Sequence, residues 1–170
     1  MNLEPVGNLL EIGIRLGLAT LLGAVIGLNR DLHGKPAGLK THALVSLGAA
    51  LIVLASIRTS GPKDPTAITR TFQGIITGVG FIGAGVILRP IASEGVRGLT
   101  TASTIWVVAC VGSACGAGEW PIAILAFLFV LAILVIGGPV ERAFHRFALR
   151  HVKEPDPNVT PNEKGHIISP

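Results

Sequence analysis

Five stretches of the chain carry apolar residues almost without interruption: Leu9 to Leu28, Thr41 to Ile57, Ile68 to Leu88, Thr101 to Ala117 and Pro121 to Gly138. Each is 17 to 21 residues long, which at ~1.5 Å per residue lets a helix cross a hydrocarbon core of roughly 25–30 Å. A closed β-barrel would need segments of about ten residues that alternate apolar and polar positions, and these runs do not alternate. The pattern predicts an all-α polytopic membrane protein with five transmembrane helices.

Beyond the fifth run the pattern changes. "ERAFHRFALRHV" sets Arg142, Arg146 and Arg150 at i, i+4 and i+8, the spacing of one helix face suited to the headgroup layer. A transmembrane domain over 1–140 is therefore expected to be followed by a basic interfacial helix over 141–154. The last stretch, 155–170, has four prolines and no apolar period, so it is expected to be disordered. No soluble domain is expected after it.

Composition agrees with the pattern. The chain has 170 residues, 49% hydrophobic and 14% charged, with a mean hydropathy of +0.64, values that exclude an ordinary soluble domain. The leader "MNLEP" holds Glu4 and no Lys or Arg, and no small-x-small site follows, so the first run is expected to stay in the protein. Cys110 and Cys115 have no CxxC spacing and no flanking His; they read as small packing residues rather than a zinc site or a disulfide framework.

Charge changes the picture by its distribution. With the N-terminus outside, the inner segments hold Arg30, Lys35, Lys40, Arg89, Arg97, Arg142, Arg146, Arg150, Lys153 and Lys164, and the outer ones Arg58, Lys63 and Arg70. That ten-to-three bias predicts a cytoplasmic C-terminus.

A shift of 60 positions aligns residues 23–50 with 83–110 without a gap, with seven identities, among them Gly38/Gly98, Leu39/Leu99 and Thr41/Thr101. Two repeated helical hairpins plus a fifth helix is one organisation this allows; the abundance of Gly, Ala and Leu is the other source of such matches. Small residues four apart let membrane helices approach closely. Gly74, Gly78 and Gly85 on one side of helix 3, with Gly80 and Gly83 on another, predict that this helix is packed between neighbours on at least two sides. Gly13/Gly17 and Gly23/Gly27 on helix 1 and Gly112/Gly116 on helix 4 repeat the spacing, whereas helix 5 is bulky and expected to face lipid.

The strings "GLNRDLHGKPAGLKTHALVSLGAAL", "TRTFQGIITGVGFIGAGVILR" and "VRGLTTASTIWVVACVGSACGAG" together resemble the N-terminal membrane domain of the MgtC/SapB family of bacterial inner-membrane proteins, over roughly residues 9 to 138. The resemblance implies a five-helix domain in the inner membrane, a link to growth under magnesium limitation and to virulence in some pathogens, and interaction with other membrane proteins, ATP synthase among them. Family members often carry a magnesium-transport label. Two departures matter. Where the family commonly has G-L-E-R-E, this chain has Gly27, Leu28, Asn29, Arg30 and Asp31, which weakens a divalent-cation site in that loop. The soluble C-terminal domain of some members is not expected here.

Candidate chemistry is sparse. Glu11 and Arg15 at i, i+4 read as a self-neutralising pair near the outer end of helix 1. Arg70, Gln73 and Thr77 form a polar stripe on helix 3 that either satisfies itself and nearby backbone, the preferred reading, or lines a shallow outward-facing cavity. Arg30, Lys35, Lys40 and His42, with Arg89 and Arg97, form a basic inner rim suited to lipid headgroups, nucleotide phosphate or an acidic partner; Asp31, Thr100 and Thr101 complete the candidates there. No HExxH, GxSxG or Walker lysine occurs, so no enzyme, no cofactor and no nucleic-acid partner is expected. The expected function is a modulator of partner membrane proteins, with a homo-oligomeric conduit for a cation or small solute as the alternative.

Overall fold

The computed structural model describes residues 9–60, 65–87 and 98–151. They form α1 (Leu9–Leu32), α2 (Leu39–Ser60), α3 (Pro65–Ile87), α4 (Leu99–Ala117) and α5 (Trp120–His151). Each contains a stretch long and apolar enough to cross a membrane, as the hydrophobic pattern predicts. α2 and α4 open at matching residues of the 60-residue shift: His42 N–H donates to Gly38 O at 3.1 Å, and Ala102 N–H to Gly98 O at 2.9 Å.

α4 is the centre of the bundle. It packs against α1, α2 and α3, while α2 also touches α1 and α3. Two apolar clusters fill the interior. One joins Ala19, Leu22, Ala50, Val111, Cys115 and Ala123, and the other Ala49, Val53, Ile75, Val79, Ile105 and Ala109. Cys115 is buried and Cys110 half-buried.

Four glycines set how closely these helices approach. A Cβ on Gly23 would lie 2.6 Å from the His42 carbonyl and 2.7 Å from Ser46 Cβ, and one on Gly27 would lie 2.6 Å from Leu39 Cα. On α4, a Cβ at Gly112 would collide with the Ser46 carbonyl and one at Gly116 with the Ala50 carbonyl. The backbone of α2 along His42, Ser46 and Ala50 is thus gripped from α1 on one side and α4 on the other. This is the close backbone contact through which membrane helices associate, because burial of apolar side chains gives no hydrophobic drive in lipid.

α3 departs from expectation. A Cβ at Gly74, Gly78, Gly80 or Gly85 would meet nothing within 4 Å; only Gly83 faces a neighbour, Ala102 Cβ at 3.4 Å. The reason is rotational: α3 packs through Phe72, Ile75, Val79 and Val86, a stripe of helical period that turns Gly74, Gly78 and Gly85 outward. Gly13 and Gly17 on α1 are likewise open.

α5 contributes Ala123 to the interior, with Ala126 and Phe127 against it, while Leu125, Leu128, Phe129 and Ile133 are exposed, as suits a lipid-facing helix. The compact bundle ends at Leu134, and Val135 onward forms a second unit. In that unit the helix runs on through Pro139 to His151, so residues 141–151 are the last turns of α5, with Arg142 and Arg146 exposed. The expected disordered tail, 155–170, lies outside the described residues.

Candidate functional site

The end of the bundle where α1 stops and α2 and α4 start gathers most of the polar side chains that the spans bury. Arg30, in the last turn of α1, is 5% exposed, and His42 on α2 and Thr101 on α4 are 0% and 2%. Arg30 donates from Nη2 to Thr101 Oγ1 at 2.8 Å, and its buried Nε has no partner among the described residues. His42 donates from Nδ1 to the Gly38 carbonyl at 2.9 Å, and its Nε2 lies 3.2 Å from Thr104 Oγ1. The Thr104 hydroxyl also points at the Thr101 carbonyl, 2.8 Å away. A threonine has one hydroxyl hydrogen, so the Thr101 carbonyl and an unprotonated Nε2 share it. Ser46, one turn along α2 from His42, has a buried Oγ with no partner among the described residues.

The turn that builds this end is tightly constrained. Gly34 and Ala37 both have φ of 60°, and the Asp31 carboxylate accepts from Leu39 N–H at 2.8 Å, capping α2. Gly38 lies against that carboxylate with no room for a side chain. Asp31 is therefore engaged with α2 rather than with Arg30. Lys35 and Lys40 are exposed. The basic inner rim is thus reduced: Arg30 and His42 are buried between α1, α2 and α4 because the four close-packed glycines draw these helices together, and Arg89 and Arg97 lie outside the described residues.

The opposite end of α4 is held by the other arginine of α1. Arg15, 9% exposed, pairs with Glu11, as the sequence predicts, and donates from Nη1 to the Gly116 carbonyl at 2.9 Å. That carbonyl is available because of how α4 ends. Gly118, with φ of 81°, closes the helix with its own amide on Cys115 O and the Glu119 amide on Ala114 O, the Schellman arrangement, which leaves Gly116 O to another donor. A cation beside a helix C-terminus also complements the helix dipole. Arg15 to Arg30 on α1 and Thr101 to Gly116 on α4 are both separations of 15 residues, about 22 Å of helix, so the two antiparallel helices are fastened in register at both ends.

The polar stripe on α3 is not part of either end. Gln73 and Thr77 are exposed, as are Arg70 on α3 and Thr100 on α4. Thr77 donates to its own helix at Gln73 O, 2.8 Å away; no partner of the Gln73 side chain is found among the described residues. A groove of about 230 Å³ beside α3 is lined instead by Phe72, Ile75, Ile76, Val79 and Trp106, among others. Thr77 is thus satisfied by nearby backbone, as the preferred reading expects, and none of Arg70, Gln73 and Thr77 lines that groove. Among the described residues, no three His, Cys, Asp or Glu side chains converge.

Ser46, Thr104 and the Gly116 carbonyl were not among the sequence candidates. Ser46 follows His42 by four positions and Thr104 follows Thr101 by three, two polar pairs of helical spacing within apolar spans, and that signal points to them. The role of Gly116 belongs to its backbone and leaves no such mark.

Residues 16–143 match the sequence model of the MgtC family. The chain belongs to the MgtC family. It is 45% identical over 139 residues to Protein SrpB of Synechococcus elongatus, covering 76% of each chain. It is 41% identical over 134 residues to Protein MgtC of Brucella abortus, covering 78% of this chain and 53% of that one. With Protein SapB of Bacillus subtilis the figures are 43% over 129 residues, 71% and 54%. The chain thus spans about half the length of its MgtC and SapB relatives. No solved structure matches it significantly.

Proposed function

We propose that the chain is a bacterial inner-membrane modulator that binds partner membrane proteins and acts in magnesium and energy homeostasis, with its N-terminus outside and its C-terminus in the cytoplasm. The observation that carries this reading is the contrast between interior and surface. The middle of the bundle is packed with apolar side chains such as Ala50, Val108 and Val111, while Gln73, Gly74, Thr77 and Gly78 share the exposed part of α3. A side-chain amide within a span and facing lipid is costly unless another protein group covers it, and neighbouring glycines let a second helix come close enough to do so. The same face supports the alternative, in which copies of the chain meet around α3 and enclose a conduit lined by Gln73 and Thr77.

Purified protein reconstituted alone in liposomes separates the two. A modulator leaves Mg²⁺ flux at the level of empty liposomes, and native-membrane purification recovers partner proteins that Gln73→Leu releases. A saturable flux that Gln73→Leu removes overturns the modulator in favour of the conduit. Topology is tested by a reporter fused after Lys153, which is expected to be active only in the cytoplasm.

A further inference from the structure

α5 is longer than the membrane it crosses. Of its 32 residues, about 20 cover a hydrocarbon core of ~30 Å. A helix that enters at Trp120, a residue type favoured at the interface, therefore leaves the hydrocarbon near Pro139 and carries about 12 residues beyond it. α5 runs on through Pro139, which has no amide to offer the Val135 carbonyl, and Gly137 and Gly138 come just before it. Such positions are where a helix axis changes direction.

The turns around and beyond this point have two different sides. Ile136, Val140, Phe144 and Phe147 follow one another at spacings of four, four and three, the row of one helix side, and they are 57%, 49%, 72% and 65% exposed. Arg142 and Arg146, also exposed, stand two positions before and after Phe144, about 200° away around the helix. Arg142 Nε donates to the Gly138 carbonyl of its own helix at 3.2 Å. Arg150 continues the spacing, and Glu141 is the one acidic residue between Pro139 and His151. Water would leave the phenylalanines uncovered, and hydrocarbon would take in the arginines at a high cost. An acidic protein would answer only the arginines, and a second copy packed along the apolar row only the phenylalanines. The boundary layer of a bilayer with anionic lipid takes both at once.

We propose that the end of α5 beyond Pro139 is an anchor for anionic phospholipid, lying in the headgroup layer with Val140, Phe144 and Phe147 toward the acyl chains while Arg142 and Arg146 reach lipid phosphates. The length and flexibility of arginine let its charged head meet a phosphate from the flank of the helix. The inference does not rest on the modulator reading, because it concerns the purified chain in lipid.

The test uses the full chain, one copy to a nanodisc, and follows labelling by a membrane-impermeant maleimide at either Phe144→Cys or Arg142→Cys. Cys115 is buried and Cys110 half-buried, and wild type supplies their background rate. In phosphatidylglycerol discs the thiol at position 144 is expected to react about tenfold more slowly than the one at 142. A helix end that stands upright reverses this order, because position 142 is then nearer the hydrocarbon, and overturns the proposal. Replacing phosphatidylglycerol by phosphatidylcholine is expected to speed labelling at 144 about tenfold, and Arg142→Glu with Arg146→Glu in the Phe144→Cys chain to do the same in phosphatidylglycerol. Protection at 144 that neither change relieves assigns the cover to the rest of the chain, and protection found only with two copies to a disc assigns it to a second copy. Either result overturns the lipid anchor, as does equal labelling at 142 and 144.

Discussion

α3 and α4 are both rich in glycine, yet they use it in opposite ways. On α4, Gly112 and Gly116 lie directly against the α2 backbone at Ser46 and Ala50. On α3, Gly74, Gly78, Gly80 and Gly85 face open space, and only Gly83 touches a neighbour. The difference lies in what stands opposite. α4 is enclosed by α1, α2 and α3, whereas α3 packs through a single stripe of larger side chains. Glycine at helical spacing therefore marks a surface that can be approached closely, and only the rest of the fold decides whether it is.

Substitutions that fill these surfaces should grade accordingly. Gly112→Leu should have the largest effect, since even its first carbon collides with the Ser46 carbonyl; overpacking of this kind costs about 1–3 kcal/mol and more where backbone must move. Little monodisperse protein is expected by size-exclusion chromatography in detergent. Gly23→Val should come next, at about 1–3 kcal/mol, read as a lowered unfolding midpoint, because it overlaps both His42 O and Ser46 Cβ. Gly83→Ala should cost under ~1 kcal/mol in the same measurement, as its new methyl meets Ala102 at an ordinary contact distance of 3.4 Å. Gly78→Leu should leave the unfolding midpoint within about 0.5 kcal/mol of wild type. If α3 is a docking face, that variant keeps its fold and loses only its co-purifying partners; equal destabilisation by Gly78→Leu and Gly112→Leu would erase the contrast between the two helices.

The five spans were legible because lipid demands continuous apolar runs, and the family was legible in the α3 string itself. Which glycines pack was not, since Gly78 and Gly112 sit in similar local sequences and differ only in what the fold brings against them. The site divides in the same way. Arg30, Asp31, His42 and Thr101 were visible as polar residues at the ends of spans, but their grouping depends on α4 returning beside α1. Sequence also assigned Arg30 and His42 to an exposed rim, because a basic residue near a span end is ordinarily solvated; here close helix contacts enclose them. For Arg15 the local pair with Glu11 was readable at i, i+4, whereas its bond to Gly116 O spans 101 residues and ends on a backbone atom.

That separation also orders events during synthesis. Arg15 enters the bilayer with Glu11 already beside it, but the carbonyl that completes its bonding is made 101 residues later, roughly 5–20 s at ordinary translation rates. Thr101, the hydroxyl that meets Arg30, follows that arginine by 71 residues. Until α4 arrives, the α1–α2 hairpin carries one arginine chaperoned by its own helix and another with no partner of its own. The central helix is thus the one whose insertion commits the earlier helices to their final places, and a ribosome paused before residue 99 would hold three helices that have not yet become this protein.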